Sequence, residues 1–127
     1  MNDKQYLILR KNIIKYLKDR LGERLFLHSL GVEAAAVQIA AASANYRLIK
    51  RCSIAALMHD AAKCLSLSEM KSSVKKAGYK LSGGVAEKEG LLHGHASAHI
   101  AAEIFNISDR GVITAVRNHT LGRLKMS

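Results

Sequence analysis

Proline and tryptophan are absent from this 127-residue chain, and aromatic residues make up only 5% of it. Without proline no helix need be stopped or kinked for want of an N–H, and the abundance of alanine and leucine leans the composition all-α. Acidic residues are scarce: Asp and Glu total 10 against 20 Lys and Arg, a formal net charge of +10. That balance predicts attraction to anions, whether nucleotides, nucleic acid or an acidic membrane surface, without choosing among them. No run approaches the roughly 18 apolar residues of a membrane span. The N-terminus alternates charged with apolar residues and lacks the apolar core of a signal peptide. A cytoplasmic protein with no membrane partner is expected. The two cysteines, Cys52 and Cys64, fall on one expected helix, where twelve residues of rise would hold them about 18 Å apart. They then read as buried small hydrophobes in a reducing compartment rather than a disulfide.

The length suits one domain, 1–127, that buries about two-thirds of its unfolded surface. From Asp3 to about Arg20, Tyr6, Leu9, Ile13, Leu17 and Leu21 recur at helical spacing and make one apolar face, with Lys11, Lys15 and Lys18 as a solvated basic stripe. A second helix is expected from Glu23 to about Ala44, with Leu25, His28, Val32, Ala35, Ile39 and Ala42 inward. Its alanines allow close packing, within the chain or across a homodimer. Asn45 suits a turn or helix end. A third helix runs from about Leu48 to Cys64. Ser66 and Glu69 match a capping box that opens a shorter helix holding Met70 and Val74 and ended by Gly78. Residues Tyr79 to Gly90 read as a loop. His93 opens the next segment, with a helix from about His95 to Phe105 turning Ala98, Ala101, Ala102 and Phe105 inward and stopped by Asn106. Ser108 and Asp109 cap a last helix that delivers His119 at its end. No strand pattern, internal repeat or interdomain linker competes with an all-α, single-domain helical bundle.

The stretch from Leu57 to Lys63 plants His59 and Asp60 among residues a buried helix uses. A buried carboxylate has to be paired or bound to a metal. Lys63 follows Asp60 by three residues, and on a helix it shares that face and offers a cation to an anionic ligand. Neutral imidazole with carboxylate suits zinc, iron, manganese or nickel better than calcium. Two metals would need a bridging carboxylate to span about 3.5–4 Å, a role natural to Asp60. A His–Asp dipeptide is common on its own. The order His28, His59-Asp60, His93, His119 carries more weight.

The stretches Arg24–Val32 (RLFLHSLGV), Ala55–Lys63 (AALMHDAAK), Leu91–Ala98 (LLHGHASA) and Ala115–Ser127 (AVRNHTLGRLKMS) resemble the HD-domain hydrolases of the bacterial YqeK type, symmetrical diadenosine tetraphosphate hydrolases. The resemblance covers nearly the whole chain. It implies an HD helical bundle, a dinuclear metal centre that is commonly iron, with manganese, nickel, zinc or magnesium as other occupants, and cleavage of diadenosine tetraphosphate into two ADP. It further implies that His28, His59 and Asp60 hold one metal and that Asp60 bridges to a second on His93 and His119. Lys63 matches the phosphate-contacting lysine of a His-Asp-x-x-Lys motif and would act with Asp60 in catalysis. Thr120, Gly122 and Arg123 match the substrate-binding segment after the last histidine.

Two features depart from the family pattern. The family continues past the position of Ser127 into a helix whose Ala-Asp-x-x-Glu motif supplies an Asp to the first metal, so this HD domain is C-terminally short. It is then a truncated form, has another group in that Asp's place, or has an impaired site. His95 and His99, four residues apart on one helical face, are not required by the pattern. They read either as phosphate contacts or as ordinary exposed or hydrogen-bonded histidines. Two other functions stand beside the tetraphosphatase: an HD phosphohydrolase acting on a different nucleotide, and an impaired domain that binds nucleotide or RNA through its basic surface.

Overall fold

Asn2 and Gln5 start the first helix reciprocally. The Asn2 side chain accepts from Gln5 N–H at 2.8 Å, while Asn2 N–H donates to the Gln5 side chain at 3.0 Å. Helix α1 (Asp3–Arg20) then buries Ile13 and Leu17, and Leu21 just beyond its end. The computed structural model of the chain describes residues 1–76, 78 and 89–126, with side chains for all of these except 89–91 and 119–126. Among the described residues it is all-helical. Helices α2 (Glu23–Ala41) and α3 (Tyr46–Met58) are followed by a 3-10 turn (Ala61–Cys64), α4 (Leu67–Lys76), α5 (Glu89–Glu103) and α6 (Arg110–Met126). The main pairings are α2 with α3 and α5 with α6, and α3 also packs on α1 and α6. Leu57 and Met58 of α3, Leu92 and Ala96 of α5 and Val116 of α6 are fully buried where these helices meet.

Two local signals appear as expected. Glu69 N–H donates to Ser66 Oγ at 3.1 Å and Ser66 N–H to Glu69 Oε1 at 2.9 Å, closing the capping box of α4, whose Met70 and Val74 are buried. Helix α5 stops at Glu103, short of the expected Phe105, and Asn106 turns the chain beyond it in the left-handed region, at φ 54°, where asparagine is better tolerated than most residues.

Other expectations are corrected. The inward stripe of α2 is Ser29, Glu33 and Ala40, whereas Ala35, Ile39 and Ala42 are exposed and His28 keeps half of its side chain in solvent. The helix is rotated because Glu33 is drawn inward. Arg10 grips its carboxylate with two bonds of 2.7 Å, Ser53 Oγ donates to it at 2.6 Å, and Tyr6 Oη donates to Ser53 at 2.7 Å. Helix α3 stops at Met58 rather than running to Cys64, so Cys52 and Cys64 do not share a helix, and both thiols are free. Helix α5 begins at Glu89, ahead of His93, and leaves Ala102 exposed. Helix α6 continues past residue 119 to Met126. The loop expected from Tyr79 lies outside the described residues up to residue 88.

Candidate metal centre

The break after Met58 shapes the site. Asp60 leaves the helical region, at φ −112° and ψ 16°, and the chain tightens into the 3-10 turn. Lys63 N–H then bonds the Asp60 carbonyl at 3.0 Å. Ala62 N–H is taken by Ser97 Oγ of α5 at 2.9 Å, a fully buried contact that fixes the turn against its neighbour. The result aims the Asp60 carboxylate at three helices. His59 Nε2 lies 3.0 Å and His28 Nε2 3.7 Å from Asp60 Oδ2, while His93 Nε2 lies 3.2 Å from Oδ1. Lys63 Nζ is 3.4 Å from Oδ2. One donor atom from each of His28, His59 and Asp60 falls within 4.8 Å of the others.

The hydrogen bonding of His59 is informative. Its Nδ1 sits 2.5 Å from the carbonyl oxygen of Ala56, and a carbonyl only accepts, so Nδ1 carries the proton. In the neutral ring Nε2 is then a lone pair, facing a carboxylate oxygen at 3.0 Å. Two acceptors at that distance require a cation between them, either a second proton on the ring or a metal ion. The backbone carbonyl behind the ring is also the support that metal-bound histidines commonly have. The donor set therefore fits a divalent metal.

Burial pushes the Asp60 carboxyl towards its neutral form, but hydrogen bonds with His59 and His93 and the charges of His59 and Lys63 outweigh it. They hold the group far below the usual carboxylate range. Among the described residues, His95 is not one of the group that could hold a metal. Burial lowers its tendency to protonate, and the Arg117 cation adds to this. His99 faces α4 instead, in a cleft lined by Ser68, Ser72 and Lys76. His119, Thr120, Gly122 and Arg123 lie on the helical backbone of α6, with side chains outside those described.

Residues 25–126 match the HD domain family. The chain belongs to it. The chain is 30% identical over 120 residues, 93% of its length, to the symmetrical bis(5'-nucleosyl)-tetraphosphatase of Halalkalibacterium halodurans. It is 27% identical, again over 93% of the chain, to the protein of that name from Bacillus subtilis. It spans 62% of the length of each of these relatives. The crystal structure of an HD superfamily hydrolase from Clostridium acetobutylicum, described as involved in NAD metabolism, superposes with a TM-score of 0.79 at 33% identity. That match covers 86% of this chain and 57% of the other. The chain thus has the HD fold.

Two buried polar residues of this HD domain, Ser97 at the site and Glu33 in the network joining α1, α2 and α3, are missed by the reading of the sequence. Ser97 gives no spacing signal, because its role is set by the approach of the 3-10 turn to α5. Glu33 carries a usable one: it is the single acidic residue between Arg24 and Asn45, the same lone-charge logic that singles out Asp60. Its partners, Arg10 and Ser53, come from other helices.

Proposed function

We propose that this HD domain is a metal-dependent phosphohydrolase that splits dinucleoside tetraphosphates, diadenosine tetraphosphate above all, into two nucleoside diphosphates. The observation that carries the reading is the facing lone-pair geometry of His59 Nε2 and Asp60 Oδ2, a place for a cation, with His93 set on the other carboxylate oxygen. Names and similarity of the relatives support the substrate. In this reading His28, His59 and Asp60 hold one ion, and Asp60 bridges to a second on His93 and His119. Iron is the first choice, with manganese, nickel, zinc and magnesium as alternatives. When bound, the ions supply Lewis acidity and make water nucleophilic at neutral pH.

The chain's own residues do the remaining work. The Ala56 carbonyl holds His59 in one tautomer and orientation. Asp60 stays ionised at any working pH. Lys63, beside Asp60 but with two-fifths of its side chain in solvent, binds phosphoryl oxygens and neutralises the charge that grows on them, the main requirement of phosphoryl transfer. Arg123, with Thr120 and Gly122, contributes a second grip on the polyphosphate.

The test is product analysis of the metal-loaded protein with diadenosine tetraphosphate. ADP as sole product, lost with chelator, is expected. ATP plus AMP would overturn symmetrical cleavage, and turnover of another nucleotide alone would move the domain to a different phosphohydrolase class.

A further inference from the structure

Beside the middle of α3, away from the end that carries the metal centre, the helix bundle leaves a cavity of about 300 Å³. Arg51, at its edge, is eight residues before His59, a helical rise of about 12 Å. The walls are apolar: Leu9 of α1, Ile54 of α3, Phe105 and Ile107 of the α5–α6 connection, and Val112 of α6. Its volume lies at the small-ligand end of the range for binding pockets, about 300–1,000 Å³. The rim is polar and ordered. Arg51 pairs with Asp109 through bonds of 2.9 and 3.0 Å. Asp109 also accepts from Gly111 N–H at 2.9 Å and Val112 N–H at 3.2 Å. The Arg51 guanidinium occupies the space a Cβ at position 111 would fill, so Gly111 is what lets this lid of charge lie flat on α6.

A smaller polar cleft opens beside the cavity and shares Arg51 and Asp109 with it. It adds Arg47 and Lys50 to the wall. The charges there can be accounted for. Arg51 is matched by Asp109 and Lys50 by Asp3, at 2.5 Å. Arg47, exposed on the first turn of α3, has no ion-pair partner among the described residues. Met1 lines both openings, and its amino terminus is a further cation without an ion-pair partner among the described residues. The largely apolar chamber thus opens onto a mouth where, among the described residues, two cations are left over, Arg47 and the amino terminus.

We propose that this cavity binds a small amphiphile with an apolar body and a single anionic head, the body lying against Leu9, Ile54, Phe105, Ile107 and Val112 and the head at the cationic mouth, on Arg47 beside the Met1 amino terminus. The site is separate from the metal centre and does not depend on the substrate proposed for it.

The test uses amide NMR of the full chain, titrated with decanoate and, in parallel, with decanol. Decanoate is expected to shift the signals of Leu9, Ile54 and residues 105–112 saturably, and decanol the same signals with about tenfold weaker affinity. Arg47→Glu should cut that preference for decanoate by about threefold or more while leaving decanol binding unchanged. The substitution is safe for the fold, because the position is exposed and an acidic residue in a first helical turn is favoured by the helix dipole. Val112→Phe, which fills the chamber, should weaken both ligands. Absence of saturable shifts would overturn the proposal. So would shifts centred on the exposed side chains of Leu27 and Ile39, or a decanoate affinity that Arg47→Glu leaves intact.

Discussion

At Asp60, burial opposes ionisation and its neighbours enforce it, so this one side chain gathers a nitrogen atom from each of four others. Replacing it by alanine removes the acceptor shared by His28, His59, His93 and Lys63. Asp60→Ala is expected to lose bound metal, measured by plasma mass spectrometry, and to lose turnover with it. Wild-type metal content in that variant would sink the bridging assignment. Lys63 separates from this. It touches Asp60 but reaches solvent, so Lys63→Ala should keep its metal and lose about 100-fold in turnover, the order seen when one stabiliser of developing charge is removed. The lone charge in an apolar run made Asp60 legible in the sequence, and the i, i+3 spacing made Lys63 legible with it. The helical pattern makes His28 a candidate ligand by placing it on the inward side of α2, and the structure differs. His28 reaches Asp60 from a partly exposed face, not from an inward stripe.

Between helices, the close approaches decide. A Cβ at Gly94 would stand 2.5 Å from the Arg117 carbonyl oxygen, so α5 and α6 touch backbone to backbone one residue from His93. Gly94→Ala should cost about 1–3 kcal/mol of stability and weaken metal binding, as read by urea unfolding and metal titration. The Arg10–Glu33–Ser53–Tyr6 network ties α1, α2 and α3 together. Burial raises the Glu33 pKa, but the hydrogen bonds from Arg10 and Ser53 and the Arg10 charge prevail, leaving it below its ordinary value of 4.5. A depressed folded-state value means the network's electrostatic contribution is complete above about pH 4.5. It fades as pH falls through the lower folded value. Glu33→Gln should therefore destabilise the protein by about 2 kcal/mol at pH 7, less in high salt because Arg10 is 37% exposed. Urea unfolding followed from pH 7 to pH 2 should show the gap to wild type closing at the acid end.

For the molecule as a whole, metal binding and folding are linked. His28, His59 and His93 come from α2, the end of α3 and α5, so an ion that holds them together stabilises only the packed bundle. Manganese at 100 times its Kd should add about 2.7 kcal/mol, visible as a rise in Tm by calorimetry. Asp60→Ala should show no such rise. The net charge of +10 bears on this scale too. It favours polyanionic ligands in general and leaves the choice among them to the geometry around Asp60.

What depends on near neighbours along the chain could be read without the fold. Helical periodicity fixed α1 and its buried face, the Ser66–Glu69 pair fixed the start of α4, and Asn106 marked the turn that follows α5, each through contacts within a few residues. The sequence also marked the His–Asp pair. Tertiary structure decided the rotation of α2, because the burial of Glu33 depends on Arg10 and Ser53 in other helices and outweighs the apolar pattern of Ala35 and Ile39. It decided the end of α3 at Met58, where Ser97 takes the Ala62 N–H at the tightening turn. And it decided that imidazoles from three elements converge on one carboxylate, a contact between residues more than thirty positions apart that no local spacing encodes.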